Sequence, residues 1–179
     1  VPKSLAAVKS LENELKILKA IQNEGIQNEG IPSLYGYYPK LQDLRLQQRC
    51  EGSIFKCLPL RAHVGQNALD ALLRLTSQDA RLSLVKAVVT SIKNVRDYVH
   101  RKEVVHLDIQ PFNIIVGAGA ATDWVVQVTD WGCAARTTES LKHYRGCPPY
   151  SHEALLKQHT GTLSWTTKAE HDNASFALT

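Results

Sequence analysis

Three oxygen-bearing side chains raise the chemical question in this sequence. Asp108 and Asn113 stand five positions apart in HLDIQPFN, residues 106–113, and Asp130 follows in VTDWG, residues 128–132. Val104-Val105 leads into the first stretch and Ile114–Val116 leads out of it. An amide oxygen and a carboxylate brought together suit Mg²⁺, which prefers oxygen ligands and takes few of them from protein. A carboxylate beside such an ion can accept a proton from an attacking hydroxyl. Together these parts are a layout for phosphoryl transfer. Taken singly, each residue has an ordinary explanation: an Asp near a Gly turns the chain, and an Asn after a Pro caps it. The weight lies in the joint order of helix, His-x-Asp-x-x-Pro-x-Asn, strand, turn, strand and Asp-Trp-Gly.

The elements around these residues must bring them together. NIIV and WVVQV (Trp124–Val128) read as two short strands, with GAGAATD as the turn between them. If they pair, Asn113 and Asp130 meet at one end of a hairpin, and Gly132 lets the chain turn sharply beyond it. Gly117-Ala118-Gly119 belongs to that turn. A phosphate-cradling loop would need a helix after it, and the segment that follows is β-rich. Ahead of the loop, Val85, Val88, Ile92, Val95 and Val99 repeat at three and four residues. They predict a helix from about Asp79 to His100 with a core-facing stripe. Asn67 is placed to cap a shorter helix running through Leu73, with Asp70 three residues on.

Toward the N-terminus, Leu5, Val8, Leu11, Leu15 and Leu18 predict a helix over Leu5–Ile21, with Glu14 beside the stripe. The tandem IQNEGIQNEG of residues 21–30 has too short a period for a solenoid and reads as turn and loop. IPSLYGYY (31–38) and SIFKCLPL (53–60) predict strands, with LQDLRLQQ between them as a third strand or an irregular piece.

The chain has 179 residues, 44% hydrophobic and 21% charged, with a net charge of +4. That is a globular composition. The basic excess is spread along the chain with no Lys/Arg block, which argues against nucleic acid as a partner. No apolar run of spanning length is present, so no membrane partner is expected. Cys50, Cys57, Cys133 and Cys147 form no CxxC pair and read as reduced thiols of an intracellular protein, cytoplasmic or nuclear. Asn173-Ala174-Ser175 matches a glycosylation triplet of a kind common by chance.

HLDIQPFNIIV followed by VTDWG resembles the catalytic loop and metal-binding motif of eukaryotic-type protein kinases, usually HRDxKPxN and DFG. The resemblance implies ATP and Mg²⁺ as cofactors, Asp108 as catalytic base, and Asn113 and Asp130 as metal ligands. ENELKIL resembles the kinase helix whose Glu pairs with an ATP-contacting Lys, which implies a cofactor-binding role for Glu14. RGCPPYSHEAL resembles the segment that closes the activation loop. Gly132, Cys147, Tyr150 and Glu153 fall on that activation segment. AEHDNASFA resembles the start of a large helix and implies a structural role for Asp172, alongside that of His106. ATP is expected against SIFKCLPL and a hinge near Leu58–Leu60, with Leu58 and Leu60 contacting it. The fold implied is α+β and bilobal. Residues 1–60 are an N-lobe remnant, a helix plus antiparallel strands without a glycine loop, and 61–179 a mostly helical, incomplete C-lobe.

Several positions depart from the family pattern. Leu107 stands where an Arg usually grips a phosphorylated loop, so control by loop phosphorylation is not expected to work in the usual way. Gln110 stands where a Lys neutralises the transferring phosphoryl group, which predicts slower transfer. Trp131 replaces Phe, and Cys147 stands where Thr usually supports the catalytic loop. No Val-Ala-x-Lys strand precedes Glu14, and Lys3 lies only eleven residues before it. The chain therefore reads as cut at both ends. Three functions are compatible with these features. The first is a Ser/Thr-type protein kinase acting on a protein substrate, present as a fragment or degraded copy. The second is a pseudokinase or interaction module, and the third a small-molecule kinase of the aminoglycoside or choline type. RGCPPYSHE argues against the third. Thr137, Thr138, Ser140 and Tyr144 are the candidate activation-loop phosphosites.

Overall fold

A computed structural model describes residues 5–22, 28–34, 42–45, 54–57, 60–61, 65–119, 123–141, 144, 146–153 and 165–178. The architecture is α+β, with helices and small antiparallel sheets. The tandem repeat is described only at its two ends, and Lys3 and Leu58 lie outside the described residues.

Helix α1 spans Leu5–Gln22. It buries Leu15 and Leu18 of the predicted stripe, and also Ile17, Ile21 and Glu14. Strand β1 (Ser33–Leu34) is the described part of the strand predicted over 31–38, and Ile31 is buried in the turn before it. It pairs antiparallel with β4 (Leu60–Arg61), while β2 (Gln42–Arg45) pairs with β3 (Ile54–Cys57). LQDLRLQQ thus contributes a strand, and SIFKCLPL contributes to two.

Strand β5 (Gln66–Asn67) runs into helix α2, Ala68–Arg74. Asn67 caps α2 by accepting the N–H of Asp70 at 2.9 Å. Its own amide donates to the Asp70 carboxylate at 2.7 Å, so the reciprocal bond of this cap runs between side chains. Helix α3 spans Gln78–Arg101 behind a Ser77 cap. Its core line is Leu84, Ile92, Val95 and Val99, with Val88 partly buried. Val85 departs from the prediction, being 42% exposed. Steps of four, four, three and four from Leu84 give the inward line, and Val85 lies one position round from it. There it lines an apolar groove between α2 and α3 with Leu69, Leu72, Val88, Val89 and Phe176.

Strand β7 (Ile114–Ala118) and strand β8 (Trp124–Val128) form the predicted hairpin, in register Ile114↔Val128 through Ala118↔Trp124, and β5 adds to the other edge of β7. Gly119 N–H bonds Asp123 O at 2.7 Å at the turn, as a hairpin and not a phosphate loop requires. Strand β6 (Val104–Val105) pairs with β9 (Ala135–Arg136), and β10 (Ser140–Leu141) with β11 (Trp165–Thr166). Helix α4 is Ala169–Leu178. One core joins Ile17, Leu18 and Ile21 of α1, the inner line of α3, Ile114, Val116, Val126 and Val128 of the hairpin, and Trp131.

Candidate active site

The loop 106–113 is anchored from both sides. Pairing of β6 with β9 fixes its entry, and the β7–β8 hairpin fixes its exit. Leu107 takes a left-handed conformation, φ 65°. A non-glycine residue holds that conformation only when its surroundings over-determine it. Asp172, fully buried, supplies part of the constraint. Its Oδ2 accepts the N–H of His106 and its Oδ1 that of Leu107, each at 2.8 Å. The His100 ring nitrogen Nε2 lies 3.0 Å from the same Oδ2.

His106 is buried edge-on to Trp131, with ring centroids 4.5 Å apart. Its Nδ1 accepts the Asp108 N–H at 3.2 Å, so Nε2 carries the hydrogen that meets Thr129 O at 3.1 Å. The imidazole thereby ties the loop to the strand leading to Asp130.

Asp108 is 8% exposed. Its Oδ1 accepts the Cys147 N–H at 2.6 Å, and its Oδ2 accepts from Asn113 Nδ2 at 2.8 Å and Gln110 Nε2 at 3.1 Å. Burial raises the carboxyl's pKa. The Cys147 N–H, His106 and the two amides pull the other way. It is the backbone of Cys147 that supports the loop. Burial, followed by the charge of Asp108, raises the Cys147 thiol's own pKa. Neither Cys133 nor Cys147 is in a disulfide.

Asn113 ends the short 3-10 turn Pro111–Asn113. Its amide donates to Asp108 O at 2.9 Å as well as to Oδ2. With both hydrogens so engaged, its Oδ1 is left as an acceptor. Across the hairpin, Thr129 N–H and Oγ1 both donate to Asn113 O, at 2.8 and 3.1 Å. Asp130 is the next residue, exposed and left-handed at φ 60°. Its carboxylate makes no hydrogen bond or ion pair among the described residues.

Helix α1 docks on the far side of this segment. Glu14 Oε1 accepts the Trp131 N–H at 3.2 Å. Burial raises the Glu14 pKa, against the Trp131 bond, and Asp130 adds a smaller push in the same direction. No cation pairs with Glu14 among the described residues. Asn13 Nδ2 donates to Gly132 O at 3.0 Å and to Ala134 O at 2.7 Å. A Cβ on Gly132 would lie 2.1 Å from Ser10 Oγ, so any larger residue there would have to turn the Ser10 hydroxyl aside.

No protein-family model matches the chain. Similarity to individual proteins is clear. Serine/threonine-protein kinase KSP1 of Saccharomyces cerevisiae is 35% identical over 69 residues, which is 38% of this chain and 6% of that protein. Serine/threonine-protein kinase TIO of Arabidopsis thaliana is 26% identical over 154 residues, 84% of this chain and 10% of that protein. The Wee1-like protein kinase of Arabidopsis thaliana is 27% identical over 101 residues, 56% of this chain and 19% of that protein. The chain is similar to protein kinases. It spans a fifth or less of the length of each of these relatives.

The donor set fits a hard cation of the kind such enzymes use. Asn113 and Asp130 sit at one end of one hairpin, the Asp130 carboxylate is unpaired among the described residues, and Mg²⁺ there would take its remaining ligands from water and phosphate oxygens. Among the described residues there is no cluster of three or more His, Cys, Asp or Glu that could hold a metal ion, so any cation here would rest on the Asn113–Asp130 pair. No helix there is long and apolar enough to cross a membrane.

Other predicted positions lie further out. Leu60 pairs with Leu34 across β1 and β4. Tyr150 closes a 3-10 turn, Pro148–Tyr150, and Glu153 is exposed beyond it. Tyr144 does not suit a phosphosite. It is 5% exposed, and its hydroxyl donates to Leu107 O at 2.9 Å. Thr138 and Ser140 are exposed, and Thr137 is half-buried. Asn13 and Ser151 hold the site together and escaped the sequence reading. A polar residue next to Glu14 on a helix otherwise facing core was the one available hint of Asn13.

Proposed function

We propose that this chain carries the catalytic core of an ATP-dependent protein kinase, transferring the γ-phosphoryl group to Ser/Thr hydroxyls of protein substrates. Residues 1–60 are the N-lobe part, and 61–179 the C-lobe part of a bilobal arrangement. The observation that carries this reading is the Asn113 amide held by Asp108, which leaves its Oδ1 as an acceptor at the end of the hairpin where Thr129 N–H meets Asn113 O and Asp130 follows. Magnesium–ATP, when bound, supplies the phosphoryl donor and neutralises its charge. Asn113 and Asp130 would hold the metal. Asp108 accepts the proton of the attacking hydroxyl, and its burial, which raises the pKa, makes it the stronger base. Cys147 N–H and the Asn113 amide fix that carboxylate's direction before substrate arrives. Glu14 links α1 to the Asp130 segment through the Trp131 N–H. The resemblance to protein kinases assigns adenine contact to Leu60 and Leu58.

A second reading, a pseudokinase, is favoured by one observation. Gln110 is neutral where a cation is expected, and its amide is turned onto Asp108. Transfer of ³²P from Mg-ATP to dephosphorylated casein separates the two. Wild-type transfer that Asp108→Asn abolishes supports the kinase. Nucleotide binding without transfer, unchanged by Asp108→Asn, supports the pseudokinase.

A further inference from the structure

The residue before Asp108 is strained, and both of its backbone polar groups are held by side chains from distant parts of the chain. Asp172 takes the N–H of Leu107, and Tyr144 donates its hydroxyl to the carbonyl. Tyr144 Oη in turn lies 2.5 Å from Ser151 Oγ, which also lies 2.7 Å from Cys147 O. Tyr144 and Ser151 are both buried, at 5% and 4% exposure. Between them the chain passes so close to the loop that a Cβ on Gly146 would stand 2.2 Å from Leu107 O and 2.2 Å from Tyr144 Oη. The next residue, Cys147, gives its N–H to Asp108. Segment 144–151 thus grips the loop at two successive residues, once through a hydroxyl and once through a backbone amide.

We infer that Tyr144 is a positioning residue: with Ser151 it fastens this segment to the Leu107 carbonyl, and so holds the Cys147 amide on Asp108. The inference rests on the proposed kinase role of Asp108. Leu107 offers no guanidinium through which a phosphorylated loop could do the same task, and the phenol needs no modification to do it. A buried hydroxyl, bonded at 2.9 Å to a carbonyl that a left-handed residue presents, fixes a direction as well as a distance. Deleting only the oxygen leaves the ring in its apolar cluster with Val105, Leu107 and Ala135. The Leu107 carbonyl loses this donor, and Ser151 keeps its bond to Cys147 O.

The test uses Tyr144→Phe and Ser151→Ala in the full chain, with amide hydrogen exchange under native conditions and ³²P transfer from Mg-ATP to casein. In Tyr144→Phe, the Cys147 and Asp108 amides are expected to exchange about tenfold faster or more, with Val126 in the hairpin unchanged. The kcat is expected to fall about tenfold with the KM for ATP unchanged, the pattern of a lost transition-state alignment. Unchanged exchange at Cys147 and Asp108 overturns the inference. Should Tyr144→Phe not fold, Ser151→Ala carries the same comparison, with a smaller acceleration expected and an unchanged rate overturning it. A wild-type chain that transfers no phosphate would remove the kinase reading, while the exchange comparison alone still decides whether Tyr144 holds the loop.

Discussion

The side-chain amide of Asn113 donates to both the carbonyl and the carboxylate of Asp108, at 2.9 and 2.8 Å. One amide thus closes the loop 108–113 on itself and orients its own oxygen outward. The two residues are coupled, because removing either side chain costs the other one of its buried hydrogen bonds. Their geometry also depends on groups far away in sequence, since Asp172 holds two backbone N–H groups of residues 106–108, and Tyr144 and Cys147 hold one atom each.

Asp172 carries the largest stability prediction. Its carboxylate accepts two buried backbone N–H groups, and His100 lies against it. Asp172→Ala is expected to cost about 3–5 kcal/mol, since it leaves those donors unpaired next to a strained residue. Urea denaturation checks this, and a loss below about 1 kcal/mol would show the loop is held by other means.

The pH dependence follows from two buried carboxyls. Folding raises the pKa of both Glu14 and Asp108, mainly by burial. The folded state therefore binds these protons more tightly than the unfolded chain. The stability they contribute is full below the ordinary carboxylate range and is lost as pH rises through the raised values. Glu14→Gln keeps an oxygen for the Trp131 N–H and removes the charge beside Asp130. Its unfolding midpoint is expected to exceed that of wild type at pH 7, with the gap closing toward pH 4. Equal midpoints at every pH would contradict the assignment.

Helix α1 and the Asp130 segment share a specific contact at Gly132. Gly132→Ala is expected to cost on the order of 1–2 kcal/mol by pressing its methyl against Ser10 Oγ. Ser10→Ala in the same chain removes the opposing atom, and the double variant is expected to regain most of the loss. A strictly additive pair in thermal unfolding would place the helix elsewhere.

Much of this arrangement was legible in the sequence wherever local periodicity carries the information. Short runs of β-branched residues marked β7 and β8, and the spacing of Ile92, Val95 and Val99 marked the inner face of α3. The expected pairing of those strands, which put Asn113 and Asp130 at one end of a hairpin, is the pairing the fold has. Val85 was misassigned because a period of three and four residues does not separate a core line from a groove line one position away. The hydroxyl of Tyr144 and the amide of Asn13 were invisible because their partners lie 37 and 119 positions off. No pattern along the chain encodes a hydrogen bond across that distance. The left-handed turn at Leu107 was hidden likewise, since Leu has no local reason to adopt it.

Titration with Mn²⁺–ATP, followed by amide NMR, tests the central claim most directly. The account predicts selective paramagnetic broadening of the Asn113 side-chain amide and of the backbone amides at Asp130 and Trp131, abolished by Asp130→Asn. No broadening at these positions, or broadening that survives Asp130→Asn, would contradict it.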